Sequence, residues 1–270
     1  MSRRGWWGAL LLLGAGAVQA AGTPLRAAVV PIVGQAEFLS SVLAPFLAER
    51  GQRLELTAVH GREVVRLARA GKADLVIMHA RFKALPKLRR DDVIGPPVPV
   101  FANPIALLAP AGDPAGAAAA PDAASAMTRI KAARACLLEN ALEGLLAVQR
   151  KLWGEGGCRL QQADAVGLGA VLAAQRLGAY TWWGLHPFAN SAQPMTPLVW
   201  GEPPLLRTLV AAPVAGTPGA TLAAEAIAWL NSPAGRRAVA AFRLPGYAAV
   251  QAFWPPPAES STPESGDPDE

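Results

Sequence analysis

From Leu25 onward, apolar runs of two kinds alternate along the chain. "LRAAVVPIV" is short and β-branched, whereas "EFLSSVLAPFLAERG" sets Phe38, Val42 and Phe46 at helical spacing before a stop at Gly51. "RLELTAVH" predicts the next strand, and "GREVVRLARAG" an amphipathic helix closed by Gly71. "GKADLVIMHAR" then supplies a third strand, apolar from Leu75 to Met78, with His79 and Arg81 at its far end. A β-α-β-α-β order with short connections implies parallel strands and right-handed crossovers.

A turn and a long strand over Pro104–Ala109 come next, broken by the Gly, Asp and Pro that follow. "RACLLEN", "CRLQQAD" and "AYTWW" predict strands separated by "ALEGLLAVQRKLWGEGG" and "AVGLGAVLAAQRLGA" as helices. A second β-α-β-α-β unit therefore begins near residue 128, after an Ala-rich helical segment. "TPLVWGEPPLLRTLVAAPVAG" adds strand material, "ATLAAEAIAWLNSPAGRRAVAAFR" a helical pair, and "LPGYAAVQAFWPP" closes the fold. The expected class is α/β with two lobes, each a mostly parallel sheet flanked by helices, and a ligand cleft between them. The predicted boundaries are 21–108 with 205–254 for lobe one and 109–204 for lobe two.

The two ends differ from this body. "MSRRGWWGALLLLGAGAVQAAG" has Arg3 and Arg4, an apolar stretch from Trp6 to Leu13, and small residues with Val18 and Ala20 placed for cleavage before Ala21. That is the layout of a signal peptide over 1–20, read as Sec-type in preference to twin-arginine. Its apolar run is shorter than the ~20 residues a membrane span needs, and no later segment is expected to cross a bilayer. Residues 255–270 carry five acids and no bases among Pro and Ser, a composition expected to be disordered. Setting aside the leader's two arginines and the tail's five acids, the net charge of +5 becomes +8 for the body. A basic body suits an anionic ligand, a membrane surface or nucleic acid; export, and the lack of a dense basic run with interleaved aromatics, exclude nucleic acid. At 52% hydrophobic and 17% charged residues, wholesale disorder is excluded. Cys136 and Cys158, an even pair in an exported chain, are expected to form a disulfide.

"GKADLVIMHAR", "LLAPAGDPAG", "VGLGAVLAAQRLGAYT" and "AIAWLNSPAGRRAVAAF" together resemble, in order and spacing, the periplasmic tungstate-binding proteins of ABC importers. The resemblance runs from about residue 25 to 254, and Asn103 fits an Asn that the family carries before its crossing strand. It implies a two-lobed periplasmic solute-binding protein, a monomer without a cofactor, that hands a small-molecule ligand to an ABC permease in the inner membrane. The departures fall in the family's anion-binding loops. Its hydroxyl-rich first loop reads here "VVPIVGQAEF", without a hydroxyl. Its second loop reads "LLENALEGLL", with Glu139 where the resemblance implies an anion-binding Arg and Leu145 where it implies a Thr. A carboxylate offers an oxyanion acceptors only and repels it. The fold is therefore expected to be present and the tungstate-type site absent.

Ligand contacts in such a fold come from the C-terminal ends of strands and the helix starts beyond them. That selects Gln35 and Glu37, His79 and Arg81, Asn103, Glu139 and Asn140, and Trp182, Trp183 and His186. Plainer roles compete. Glu37 and Glu139 suit helix N-termini, His79 and Arg81 could be a structural pairing at a strand end, and the tryptophans could belong to a core. Two carboxylates and two histidines could hold a cation, but their spacing is not diagnostic and no metal is expected. The chain has no G-x-S-x-G, H-E-x-x-H, P-loop or dinucleotide fingerprint, so an enzyme is not expected. Two functions remain: a solute-binding protein for an importer, or an interaction or sensor-accessory module that keeps the fold without its pocket.

Overall fold

The computed structural model describes residues 23–256. The expected leader and almost all of the expected acidic tail lie outside the described residues. The first half begins with β1 (Leu25–Val29), α1 (Pro31–Gly34), α2 (Phe38–Ala48), β2 (Leu54–Ala58), α3 (Gly61–Arg69), β3 (Leu75–His79) and α4 (Leu85–Arg90). Strand β1 pairs parallel with both β2 and β3. Leu75 to Met78 are buried, so β3 is covered on both faces, as a continuous apolar run requires. Phe38, Leu39, Val42, Leu43, Phe46 and Leu47 form the buried side of α2. By length and composition Pro31–Ala48 could cross a membrane, against the expectation from sequence. Left-handed Ala36 and Glu37 interrupt it, and α2 turns its apolar side chains into the sheet's core.

The next strand, β4 (Val98–Ala109), starts earlier than the expected Pro104. Two prolines lie inside it, each where the ladder tolerates a missing N–H. The register shifts between Pro99 and Phe101, and Pro104 is the last residue paired with the final strand of the fold. The second half follows as α5 (Ala123–Ala132), β5 (Cys136–Leu138), α6 (Glu143–Trp153), β6 (Cys158–Leu160), α7 (Leu168–Leu177), β7 (Tyr180–Gly184), α8 (Leu185–Ser191) and β8 (Thr196–Leu198). The chain returns through β9 (Leu206–Pro213), α9 (Ala220–Asn231) and α10 (Pro233–Ala241).

The strand order is β2-β1-β3-β9-β4-β7-β5-β6, with β8 also on β4. Parallel pairs occupy the outer part of each half, β1 with its neighbours and β5 with β6 and β7. The pairs around the crossing, β3/β9, β9/β4, β4/β7 and β4/β8, are antiparallel. This is a two-lobed α/β architecture built on one shared strand. One apolar cluster runs through both halves, joining Phe38, Phe101 and Leu209 to Val171 and Phe188, and a second fills the other face of the second half.

Two local devices explain stretches of sequence. Cys136 and Cys158 are register partners on β5 and β6 and form a disulfide, as expected. The Tyr180 hydroxyl donates to Asp113 Oδ1 (2.5 Å) and accepts from the Ala115 amide (3.0 Å), tying "GAYT" to "LLAPAGDPAG".

Asp74, just before β3, is the main buried charge of the first half among the described residues. It accepts from Arg26 Nε (2.9 Å), Nη2 (2.6 Å) and the Arg26 amide (3.1 Å). Burial pushes its carboxyl up, but the hydrogen bonds from Arg26 and Thr217 outweigh that and hold it below the usual range. Gly219 lies so close that a Cβ there would come within 2.5 Å of Asp74 Cγ. Asp74→Asn replaces an acceptor by a donor facing the guanidinium. It is expected to cost about 2 kcal/mol, since Arg26 keeps some water contact; urea denaturation measures it.

Candidate functional site

The elements converge where β4 changes partners. Asn103 pairs with Arg207 of β9, and Ile105 with Gly184 of β7. Carrying the β4/β7 register on past Ile105 puts Asn103 opposite the start of α8, which holds His186. His79, at the end of β3, pairs with Leu209 two residues beyond Arg207, and the Ala80 amide donates to Thr208 O (2.9 Å). The β1–α2 connection supplies Gln35, whose Nε2 donates to His186 O (3.2 Å) and Asn190 Oδ1 (2.7 Å) of α8. Thus Gln35, His79, Asn103 and His186 are drawn to the crossing, together with Arg207, Asn190 and an aromatic group that the sequence reading missed.

That group surrounds Phe253. Its ring stacks on Phe38 with centroids 3.7 Å apart, meets Phe101 edge-on at 5.3 Å, and lies 4.5 Å from the His186 ring. The segment carrying it is held by Ala102 and Trp254, which exchange backbone hydrogen bonds of 2.8 and 2.9 Å. Phe38, Phe101, Phe253 and His186 are fully buried, so no water-sized space touches them. The Phe38 and Phe253 signals were visible only as generic apolar residues, because nothing in a linear pattern says which rings will stack.

The electrostatics of this junction are those of neutral imidazoles. Burial lowers His79 to about 3, helped by the positive charge of Arg207. Burial likewise lowers His186 to about 3, helped by His79. Both rings of the pair are uncharged at neutral pH. Both His186 nitrogens and Asn103 Oδ1 are buried without a hydrogen-bond partner among the described residues. Such atoms cost about 1–3 kcal/mol each, so the surrounding structure must hold them in place.

The remaining predicted residues stand elsewhere. Glu37 is exposed and left-handed (φ 56°), directly after left-handed Ala36 (φ 51°). Two consecutive residues in this region cost about 1 kcal/mol each, and they sit between Gln35 and the buried Phe38. Arg81 is exposed beyond β3. Glu139 is buried in the second half, accepting from Gln161 Nε2 (2.9 Å) and lying 3.5 and 3.4 Å from Arg150 and Arg159. Trp182 is fully buried in the second half's own core, and Trp183 is half-buried between the two apolar clusters. Among the described residues no group of three His, Cys, Asp or Glu side chains could hold a metal.

Asn140 is fully engaged. Its Oδ1 accepts from the amides of Gly167 (2.8 Å) and Leu142 (3.2 Å), the residues that precede α7 and α6. Its Nδ2 donates to Trp182 O (3.0 Å) and Gly167 O (3.3 Å), while Gln149 exchanges hydrogen bonds with its backbone. Amides at helix starts are the donors an oxyanion would use. Here a neutral carboxamide oxygen accepts from one amide just before each of α6 and α7.

With this geometry, the fold is that of the tungstate- and molybdate-type periplasmic binding proteins. A tungstate-binding protein from Desulfovibrio alaskensis superposes with a TM-score of 0.61 at 22% identity, covering 86% of this chain and 99% of that one. A tungstate ABC transporter protein from Geobacter sulfurreducens gives 0.55 at 22% identity, over 82% and 100%. A substrate-binding domain attributed to a molybdenum ABC transporter of Clostridium difficile gives 0.54 at 13% identity, over 80% and 95%. At these identities the likeness is one of fold. No family model and no curated protein sequence matches the chain.

Two measurements probe this arrangement. Asn140→Ala strips acceptors from two helix starts and is expected to cost about 3 kcal/mol in chemical denaturation. Because the folded pKa values of His79 and His186 lie below the ordinary 6.5, the unfolded chain binds more protons as pH falls. Stability is complete above about pH 6.5 and declines below it, by up to ~1.4 kcal/mol per pH unit for each ring. His186→Phe should remove about half of that slope between roughly pH 6 and 4.

Proposed function

We propose that the chain is an extracytoplasmic solute-binding protein of an ABC importer, taking a small ligand that is not a tungstate-type oxyanion. The observation that carries this reading is the junction at the crossing strand. There Gln35 of the first half bonds to α8 of the second, beside the unpartnered polar atoms of His186 and Asn103. A clamp of this kind works by shifting an open–closed equilibrium, and contacts made across its halves are the ones that closure forms. In this reading the lobes are 21–108 with 205–254 and 109–204, and the signal peptide over 1–20 delivers the protein to the periplasm. Gln35, His79, Asn103 and His186 serve the ligand, with Glu37 and Arg81 at the rim. Glu139, Asn140, Trp182 and Trp183 shape the second lobe around it. The engaged Asn140 supports the exclusion of an oxyanion, as does the lack of a hydroxyl in the loop before Phe38.

One observation favours the alternative, an interaction or sensor-accessory module without a pocket. Phe253 stacks on Phe38 at 3.7 Å and lies 4.5 Å from the His186 ring, so the chain's own side chains fill the junction.

A thermal-shift and calorimetric panel of tungstate, molybdate, amino acids, organic cations and small neutral amides separates the two. A solute present at 100 times its Kd stabilises by about 2.7 kcal/mol. For a chain of this size that raises Tm by several degrees, and His186→Ala should abolish the shift. Micromolar tungstate binding would sink the non-oxyanion assignment. Silence across the panel, with no solute found by mass spectrometry of the purified protein, would leave the module reading.

A further inference from the structure

The segment that follows α10 forms only isolated bridges, and it reaches both halves of the fold. Trp254 exchanges its two backbone hydrogen bonds with Ala102 of β4, and its indole lies against Gly201 after β8, where a Cβ would collide with it. The Tyr247 ring lies 6.0 Å from that of Phe188 on α8. Elsewhere the segment bonds to itself. The Tyr247 amide donates to Leu244 O (3.0 Å), the Val250 amide to Tyr247 O (2.9 Å) and Gln251 Nε2 to Phe253 O (2.8 Å). A strap tied to the framework through the Ala102–Trp254 pair, and otherwise by burial of Leu244, Ala252 and Phe253, is of the kind that opens locally before the rest of a fold.

Phe253 is the part of this strap that enters the junction. Its ring lies nearly parallel to Phe38, at 18° with centroids 3.7 Å apart, with Phe101 edge-on on another side and His186 at 4.5 Å. Phe38 and Phe101 belong to the first half and His186 to the second, so the ring sits where the halves meet. Its fit is good in shape and poor in chemistry. A face-to-face sandwich is a less favourable aromatic arrangement than an offset or edge-on pair. A phenyl ring also offers nothing to His186, whose two nitrogens are buried without a hydrogen-bond partner among the described residues. Asn103 Oδ1 is in the same condition, and Asn103 stands two residues from Phe101 on β4, on the same face of the strand. A neutral imidazole presents one donor and one acceptor, and the Asn103 oxygen a further acceptor. A charged group there would give up its hydration beside an imidazole that burial keeps neutral.

Within the solute-binding reading, on which this rests, we infer that Phe253 is a built-in placeholder in the ligand site, and that the ligand is a neutral aromatic ring carrying a hydrogen-bonding group, such as an aromatic carboxamide. Such a ring meets Phe38 and Phe101 as Phe253 does, and its amide also reaches the polar atoms of His186 and Asn103 that Phe253 leaves unmet. Because the strap must leave first, the intact chain binds with its intrinsic affinity reduced by the fraction of molecules whose slot is open.

Titration calorimetry with benzamide, toluene and cyclohexanecarboxamide, on the exported chain with its tail and on its Phe253→Ala variant, tests this. Benzamide should bind Phe253→Ala at least ~10-fold tighter than the intact chain, since no placeholder has to leave. It should also bind that variant ~10-fold tighter than toluene, which lacks the polar group, or cyclohexanecarboxamide, which lacks the flat ring. Adding His186→Leu should erase the advantage over toluene. Hydrogen exchange on the intact chain needs no variant, so it stands even if circular dichroism shows Phe253→Ala to be misfolded. Excess benzamide should speed exchange of the Ala102 and Trp254 amides as the strap leaves. Toluene that binds Phe253→Ala as tightly as benzamide overturns the inference, by reducing the slot to an apolar cavity made by the mutation. So does an intact chain whose two amides keep their protection in excess benzamide. A non-aromatic solute that binds with those amides still protected also overturns it, yet leaves the solute-binding reading standing. Failure of every solute to bind either protein overturns both.

Discussion

From Phe101 to Pro104 strand β4 bonds to β9, and from Ile105 to Leu108 it bonds to β7, so one strand carries the ladders of both halves. A strand that changes partners must satisfy its backbone groups on both sides of the change. Pro104, with no N–H to satisfy, stands at that point. Everything placed by the crossing inherits its position from this pairing. Asn103 and Arg207 are register partners, α8 begins directly after β7, and the end of β3 is fixed through β9. The Ala102–Trp254 pair adds the closing segment to the same strand and so delivers Phe253.

The junction that results is buried at its centre, with the Arg207 charge acting on His79. Its imidazoles are neutral because burial strips a charged ring of its hydration, and Arg207 beside His79 and His79 beside His186 add to that cost. The strain of Ala36 and Glu37 sits beside it and is held by Gln35 on one side and by burial of Phe38 on the other. In the second half, donors at two helix starts converge on Asn140 Oδ1. The likeness of fold to tungstate-binding proteins lies in the strand framework, whereas the loop ends are filled by this chain's own side chains.

Much of the framework was legible. The strands of both units and the helical pair near the C-terminus follow from period and stop signals, because burial on one or two faces imposes those periods. The start of β4 was not legible, since Pro99 and Pro104 read as breakers until a bulge and a change of partner accommodate them. The candidate residues were legible as positions near strand ends and not as roles. Glu139 and Asn140 are neighbours in sequence, yet one answers two arginines and the other two helix starts. Arg207 and Phe253 carried no local signal, because each matters through a strand or ring distant in the chain.

The sequence by itself determined the alternation of strands and helices, the cysteine pair and the lack of a hydroxyl in the first loop, since each depends on local pattern or composition. Only the tertiary structure decided that the cysteines are register partners, that His186 is neutral and buried beside Phe253, and that Asn140 takes up the Leu142 and Gly167 amides before α6 and α7. Those outcomes depend on which long-range neighbour reaches a group first and excludes water from it, a competition that no stretch of chain can settle alone.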